Sequence, residues 1–377
     1  MGTDSVIYIR TDGNSKIATG HLVRCLCIAQ ALESLNQSVC FLVSDTDSSA
    51  LLQDLGCTIF QDYKFSYQII ILETAKYDNL ELEIDELKAL LSGSTETTSN
   101  TNFTSYQSME RSKPILFIDS YFVTEQYFSS LKRYAKIAYM DDLRAFDYKV
   151  DLVINYDVIP TSKISEYDKA YTNASIKLLG AQYTPLRLQF QNQEVNIKNN
   201  LQNILITTGG SDPYHFAETL ISYLISQNMI ADLHVVIGKL FKNTETLETL
   251  ARENPSLHLH YNVSDMAALM KECDYAVSAA GTTLYELCAL GIPCVSFSMA
   301  DNQIPMAETF AATGAVPYAG DIRTQTKEEL DSILTYIKKY FISLSNDFSK
   351  RQIQHKKMRQ LVDGNGAIKI ADALCKL

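Results

Sequence analysis

Residues Arg10 to His21 read RTDGNSKIATGH. An apolar run over residues 6–9 precedes them, and a helical pattern starts at Leu22, with apolar residues at 22, 25, 26, 29 and 32. Strand, glycine-bearing loop and helix in that order form the opening of a doubly wound α/β domain. The loop has the position of a dinucleotide turn but not its G-x-G-x-x-G spelling. Gly13 and Gly20 stand apart, and a histidine follows the second. That spelling argues against a nicotinamide dehydrogenase, although Asp45 and Asp47 stand where a ribose-binding acid would.

The pattern repeats along the chain. Short apolar runs bounded by polar residues predict buried parallel strands at 39–43, 58–60, 69–72, 115–118, 137–139 and 152–154, with further helices over 85–91 and 125–134. A second series opens at NILITTGGSDP, residues 203–213. It continues with helix 214–227, strand 233–237, helix 244–253, strand 257–260, helix 264–272, strand 275–278, helix 283–290, strand 294–297 and helix 303–313. Residues 327–377 read as helical. Polar, aperiodic QFQNQEVNIKNN (189–200) separates the two series. The expected fold is two Rossmann-like doubly wound domains, residues 1–184 and 185–377, facing across a cleft at their strand ends. Residues 92–113, rich in Ser, Thr and Asn, read as an exposed, mobile insertion without a catalytic role.

Composition narrows the class. At 377 residues the chain exceeds what one core usually serves, and a net charge of -11 disfavours nucleic acid as a partner. No run of about 18 apolar residues occurs, so neither a membrane span nor stable membrane association is expected. The start, MGTDSVIYIR, lacks the features of a signal peptide, which points to the cytoplasm. The eight cysteines never form C-x-x-C; they read as reduced and structural, with no metal site. A monomer is expected.

Gly20 leaves room for close approach at the helix start, and His21 falls at or near the N-cap. There the helix dipole favours a neutral imidazole, suited to general-base work; a simple hydrogen bond to the loop is the plainer reading. Asp12 could orient His21 or a substrate hydroxyl, or form an Asx-turn with Gly13. Gly209 and Gly210 could offer N–H groups to an anion, or make a tight turn. In VSAAGTTLYELCALGIPCVSFSMADNQ (277–303), Ser278, Gly281, Thr282 and Thr283 surround a helix start that can hold a diphosphate. Glu286, one turn further, can bind a ribose or complete a capping box. Asp301, Asn302 and Gln303 can reach a sugar.

This last stretch resembles the UDP-binding domain of GT-B glycosyltransferases, notably the transferase that makes lipid II. With IRTDGNSKIATGHLVRCLCIAQAL, FIDSY, YMDDL, LLGAQYTPLR, TTGGSDP and LVDGNGA, the chain is similar to the UDP-sugar hydrolases of pseudaminic acid biosynthesis. The motifs run in order from residue 7 to 367. The resemblance implies release of UDP from UDP-2,4-diacetamido-2,4,6-trideoxy-β-L-altropyranose, with inversion and without metal or cofactor. It makes His21 the base that deprotonates water. It gives Tyr121 a catalytic role and Asn155 a place facing the cleft. Ser120 stands where the family often has histidine. An inverting UDP-sugar transferase and a non-catalytic UDP-sugar binder are the alternatives.

Overall fold

In the computed structural model, residues 6–14, 17, 19–59, 65–73, 80–93, 113–193, 195–242, 244–323 and 326–377 are described. The opening apolar run forms strand β1 (Ile7–Thr11), and the helix after the quoted loop is α1 (Gly20–Ser34). The chain continues through β2 (Val39–Val43), α2 (Thr46–Ile59), β3 (Gln68–Ile71), α3 (Leu80–Ser92), β4 (Ile115–Asp119), α4 (Glu125–Leu131), β5 (Lys136–Met140), β6 (Leu152–Asn155), α5 (Ile164–Ala170) and β7 (Ile176–Leu179). These strands make one parallel sheet in the order β3-β2-β1-β4-β5-β6-β7. Strands β2, β4 and β6 are buried along their whole length, as a sheet covered on both faces requires. One core joins Leu42 and Ile118 of the sheet to Leu87, Tyr127 and Phe128 of α3 and α4.

The expected strand at 58–60 is corrected. Thr58 and Ile59 complete α2, and residue 60 lies outside the described residues. Buried Ser48, Leu52 and Gly56 recur every four residues, so packing follows a helical period. That packing overrides the β preference of a short Thr-Ile-Phe run. Most of the polar insertion, residues 94–112, also lies outside the described residues.

The second sheet is built from β8 (Asn203–Thr207), β9 (Asp232–Ile237), β10 (Leu257–Tyr261), β11 (Tyr275–Ala279), β12 (Cys294–Ser298) and β13 (Tyr318–Asp321). Helices α6 (Phe216–Ser226), α7 (Glu245–Glu253), α8 (Met266–Glu272), α9 (Thr282–Leu290) and α10 (Ile304–Ala312) alternate with them. Helices α11 (Lys327–Ser345), α12 (Phe348–Leu361) and α13 (Gly366–Cys375) follow. The strand order is β10-β9-β8-β11-β12-β13, again all parallel. Both sheets start in the middle, run outward to one edge, then return and run to the other. The reversal falls between β1 and β4 in the first sheet and between β8 and β11 in the second, and in such sheets ligands bind at the strand ends there.

The chain divides into two compact units. One holds Met1–Asp157, Lys163–Leu179 and Ala367–Leu377; the other holds Val158–Ser162 and Gly180–Gly366. The division differs from a single boundary at 184/185, because α13 returns to the first unit. The LVDGNGA stretch makes that return. A side chain at Gly366 would collide with the Thr184 backbone, and Gly364, at φ +83°, would meet the carbonyl of Phe190.

Candidate active site

In the first unit, Thr11 and Asp119 end the two strands that flank the reversal and are register partners. His21 is the second residue of α1 and is buried. Its Nδ1 lies 2.6 Å from Oδ1 of Asp119. Arg24, one turn along α1, donates to both oxygens of the same carboxylate, through Nε at 2.6 Å and Nη2 at 2.5 Å. Burial alone would push the Asp119 carboxyl up, but the charge and hydrogen bonds of Arg24, with a bond to His21, hold it down at about 2. An ionised carboxylate this close to a ring nitrogen needs a proton between them. When the imidazole is neutral, that proton sits on Nδ1 and Nε2 carries the free lone pair. Such an arrangement can serve a general base; Arg24 Nη2 also lies 3.0 Å from the same Nδ1.

Tyr121 packs its ring against His21 at a centroid distance of 4.6 Å, edge to face, and donates its hydroxyl to Asp142 Oδ2 at 2.8 Å. Burial and the Asp142 charge raise its pKa, so the phenol stays protonated. Arg24 Nη1 donates to the Tyr156 hydroxyl at 2.7 Å, completing a polar ring around Asp119.

Two expected residues are placed differently. Asp12 does not orient His21. Its Oδ2 accepts from Arg10, and its Oδ1 accepts from the amide and hydroxyl of Ser44, both at 2.7 Å. Buried Arg10 also binds Glu83, so Asp12 belongs to a charge network inside the unit, and Asp119 does the orienting. Asn155 is fully buried rather than presented to a ligand. Its Nδ2 donates to the Tyr171 hydroxyl and its Oδ1 accepts from Asp157 N, each at 3.0 Å. Asp45 accepts from Ser48 N at 2.6 Å in the first turn of α2.

In the second unit, a cavity of about 440 Å³ opens at the other reversal. Its walls come from Thr208, Gly209, Gly210 and Ser211 after β8, from Gly281, Thr282 and Thr283 at the start of α9, and from Met299, Ala300 and Gln303 after β12. The first N–H groups of a helix lack intrahelical partners and carry its positive end, so the α9 start suits an anion. Among the described residues, a Cβ at Gly20, Gly209, Gly210 or Gly281 would meet nothing within 4 Å. Gly209, at φ +89°, also needs glycine for its conformation. Behind the loop the fit is tight: a Cβ at Gly238, past the end of β9, would lie 2.5 Å from the carbonyl oxygens of Gly209 and Gly210.

Asp212 takes no part in the cavity lining; it caps α6, accepting from Phe216 N and Ala217 N at 2.9 Å each. Gln303 lines the cavity and braces it by accepting from Met299 N at 2.9 Å. Asp301 is exposed and pairs with Arg323 at 2.7 Å, and Asn302 is exposed beside it. Ser278 is a correction: it is fully buried within β11 and donates to Ala279 O, so it does not line the cavity. Glu286 is no capping partner. Gly281 holds the N-cap, and the Glu286 carboxylate accepts from Arg187 Nη2 at 2.7 Å. Arg187 lies over the Phe190 ring, which fixes the carboxylate's orientation.

Sequence reasoning passed over Arg24, Asp119, Arg187 and Thr208. Arg24 was signalled by its i+3 spacing from His21. Asp119 ends the strand beside β1. Thr208 lines the cavity with a buried Oγ1 that has no hydrogen-bond partner among the described residues, a group suited to a polar ligand atom.

No family profile matches the chain. Over 202 residues it is 30% identical to the spore coat polysaccharide biosynthesis protein SpsG of Bacillus subtilis, covering 52% of this chain and 57% of that protein. Over 208 residues it is 28% identical to the pseudaminic acid cytidylyltransferase and UDP-2,4-diacetamido-2,4,6-trideoxy-β-L-altropyranose hydrolase of Helicobacter pylori, covering 53% of this chain and 36% of that protein. The chain spans about half the length, or less, of these curated relatives. Among solved structures, MurG of Acinetobacter baumannii matches at a TM-score of 0.63 and 16% identity, over all of both chains. The chain therefore has the GT-B fold, and its sequence is similar to a protein named for the UDP-sugar hydrolase of pseudaminic acid biosynthesis.

Proposed function

We propose that the chain hydrolyses a UDP-activated 2,4-diacetamido-2,4,6-trideoxy sugar to UDP and free sugar, with inversion, in the making of a nonulosonic acid such as pseudaminic acid. The relatives support a UDP-sugar-acting enzyme of sugar or polysaccharide biosynthesis. The finer reading rests on one observation: His21 is locked by Asp119 with its Nε2 lone pair left for a proton. In the proposed step, water oxygen bonds to the anomeric carbon while Nε2 of His21 takes the water proton. The bond from that carbon to the diphosphate breaks, and UDP leaves with the electron pair. The second unit's part is to hold the departing charge at the start of α9 and beside Gly209 and Gly210, as preorganised donors do. Glu286 is assigned the ribose hydroxyls, which a carboxylate accepts from as a pair.

The test is proton NMR of the protein with UDP-2,4-diacetamido-2,4,6-trideoxy-β-L-altropyranose and no acceptor. Release of UDP with the free sugar's anomeric centre inverted is the expected result. Tight binding without release would replace the hydrolase reading with a transferase that needs an acceptor, or with a UDP-sugar binder.

A further inference from the structure

From α1, Arg24 reaches residues at or just past the ends of three strands. Its Nε and Nη2 hold the two oxygens of Asp119, at the end of β4, at 2.6 and 2.5 Å. Its Nη1 donates to the Tyr156 hydroxyl, past β6, at 2.7 Å and to Asp142 Oδ2, past β5, at 3.3 Å. The same Asp142 oxygen accepts from Tyr121, whose ring packs against His21. Asp119, bonded to the His21 ring, and Tyr121, packed against it, are thus both tied to one guanidinium, the first directly and the second through Asp142.

The guanidinium also acts on the ring through its charge. His21 Nδ1 and Arg24 Nη2 both approach Oδ1 of Asp119, and this shared acceptor leaves them 3.0 Å apart. An imidazolium and a guanidinium at that distance repel, so Arg24 disfavours a second proton on the ring. The carboxylates of Asp119 and, beyond it, Asp142 pull the other way. Among the described residues around the ring, burial holds Cys25 as a thiol and Tyr121 and Tyr156 as phenols. Asp12, just past β1, is tied to Arg10 and Ser44. Burial opposes the charge of Arg24, but Asp119, Tyr156 and Asp142 keep it protonated. The balance around His21 is therefore two carboxylates against one fixed cation.

We propose, on the reading of His21 as the base, that Arg24 is the positioning residue of this site. It fixes Asp119 against Nδ1 of His21, and its charge offsets the pull of the two carboxylates, which leaves Nε2 open to accept a proton. Without Arg24 the imidazole would keep a proton on both nitrogens to higher pH and could not take one from water. Lysine would restore the charge but not the fork that meets both oxygens of Asp119.

The test is a pH titration of the full chain, without substrate, by NMR of the histidine ring resonances. The His21 signal is assigned by its absence from His21→Gln. In Arg24→Gln its midpoint should rise by about 1–3 pH units, the effect of a single charge at this range. Arg24→Lys should bring it part of the way back, a rescue that loss of packing alone would not give. Arg24→Gln leaves Asp119 buried without its cation, which is costly. If that variant lacks a cooperative melting curve, Asp119→Asn is compared with the double variant Asp119→Asn, Arg24→Gln, and the second should titrate at the higher pH. An unmoved or lowered midpoint would overturn the proposal. With the UDP-sugar, Arg24→Gln should lose roughly 10-fold or more in kcat near neutral pH, with KM within a few-fold, and should recover part of the loss at higher pH. A loss confined to KM would overturn the positioning role. The titration needs no substrate, so a parent chain without turnover would count against the hydrolase reading and leave the result on Arg24 standing.

Discussion

Oδ1 of Asp119 lies 2.6 Å from Nδ1 of His21, at the strand ends where the order of the first sheet reverses. The second sheet uses the same topological place for its glycine loop and the start of α9. One architectural rule thus locates both groups that the proposed reaction uses: the base and the cradle for the leaving group.

Replacing His21 with alanine should abolish turnover while UDP affinity stays within a few-fold. NMR turnover and calorimetry with UDP measure the two separately. A large loss of UDP affinity would assign the histidine to nucleotide binding instead of proton transfer.

Asp119→Asn tests the orientation of the base. An amide cannot hold the Nδ1 proton as a carboxylate does, so turnover should fall roughly 10²–10⁴-fold with little change in UDP binding. The same residue predicts a pH effect on stability. Its carboxyl is held at about 2, below the usual 3.8, so its contribution is fully present above about pH 4. That contribution is lost as pH falls through the folded-state value. Denaturant unfolding between pH 5 and 2, run on the parent and the variant, should show a steeper acid loss in the parent.

Glu286→Ala should weaken UDP binding by roughly 1–3 kcal/mol, the scale of a charge-assisted hydrogen bond. Calorimetry would expose the other outcome: unchanged affinity would reduce Glu286 to an anchor for Arg187.

Gly238→Ala and Gly210→Ala should separate folding from binding. At Gly238 the added methyl meets two backbone oxygens at 2.5 Å, so the glycine loop must shift, at a cost of about 1–3 kcal/mol in stability. At Gly210 the methyl enters open space beside the cavity, so the melting temperature should hold while UDP affinity falls. Equal loss of stability in both variants would contradict the packing described.

The alternation of strands and helices, and the glycine loops at the two reversals, could be read from local pattern because each is a property of adjacent residues. The contacts that define the site could not. Asp119 lies 98 positions from His21, and only the pairing of β4 beside β1 brings them together. Asp12 drew attention by standing near His21 in sequence, yet Arg10 and Ser44 hold it elsewhere. Asn155 and Ser278 carried the right chemistry at or near strand ends, but both are fully buried, with Asn155 bonded to Tyr171 and Asp157 and Ser278 to the Ala279 carbonyl. The run Thr58 to Phe60 looked like a strand because its residues prefer one, yet Thr58 and Ile59 belong to α2.

Helix α13 is the last element in sequence but belongs with the first unit. The chain crosses between units at 157/158, 162/163, 179/180 and 366/367, so no single cut frees either one. Order of synthesis and order of completion are therefore decoupled. A ribosome that has reached residue 366 has made every residue of the second unit and every strand of the first, yet the first still lacks its closing helix. Of these two units, the one that carries His21 is completed after the other, although its strands are translated before the other's.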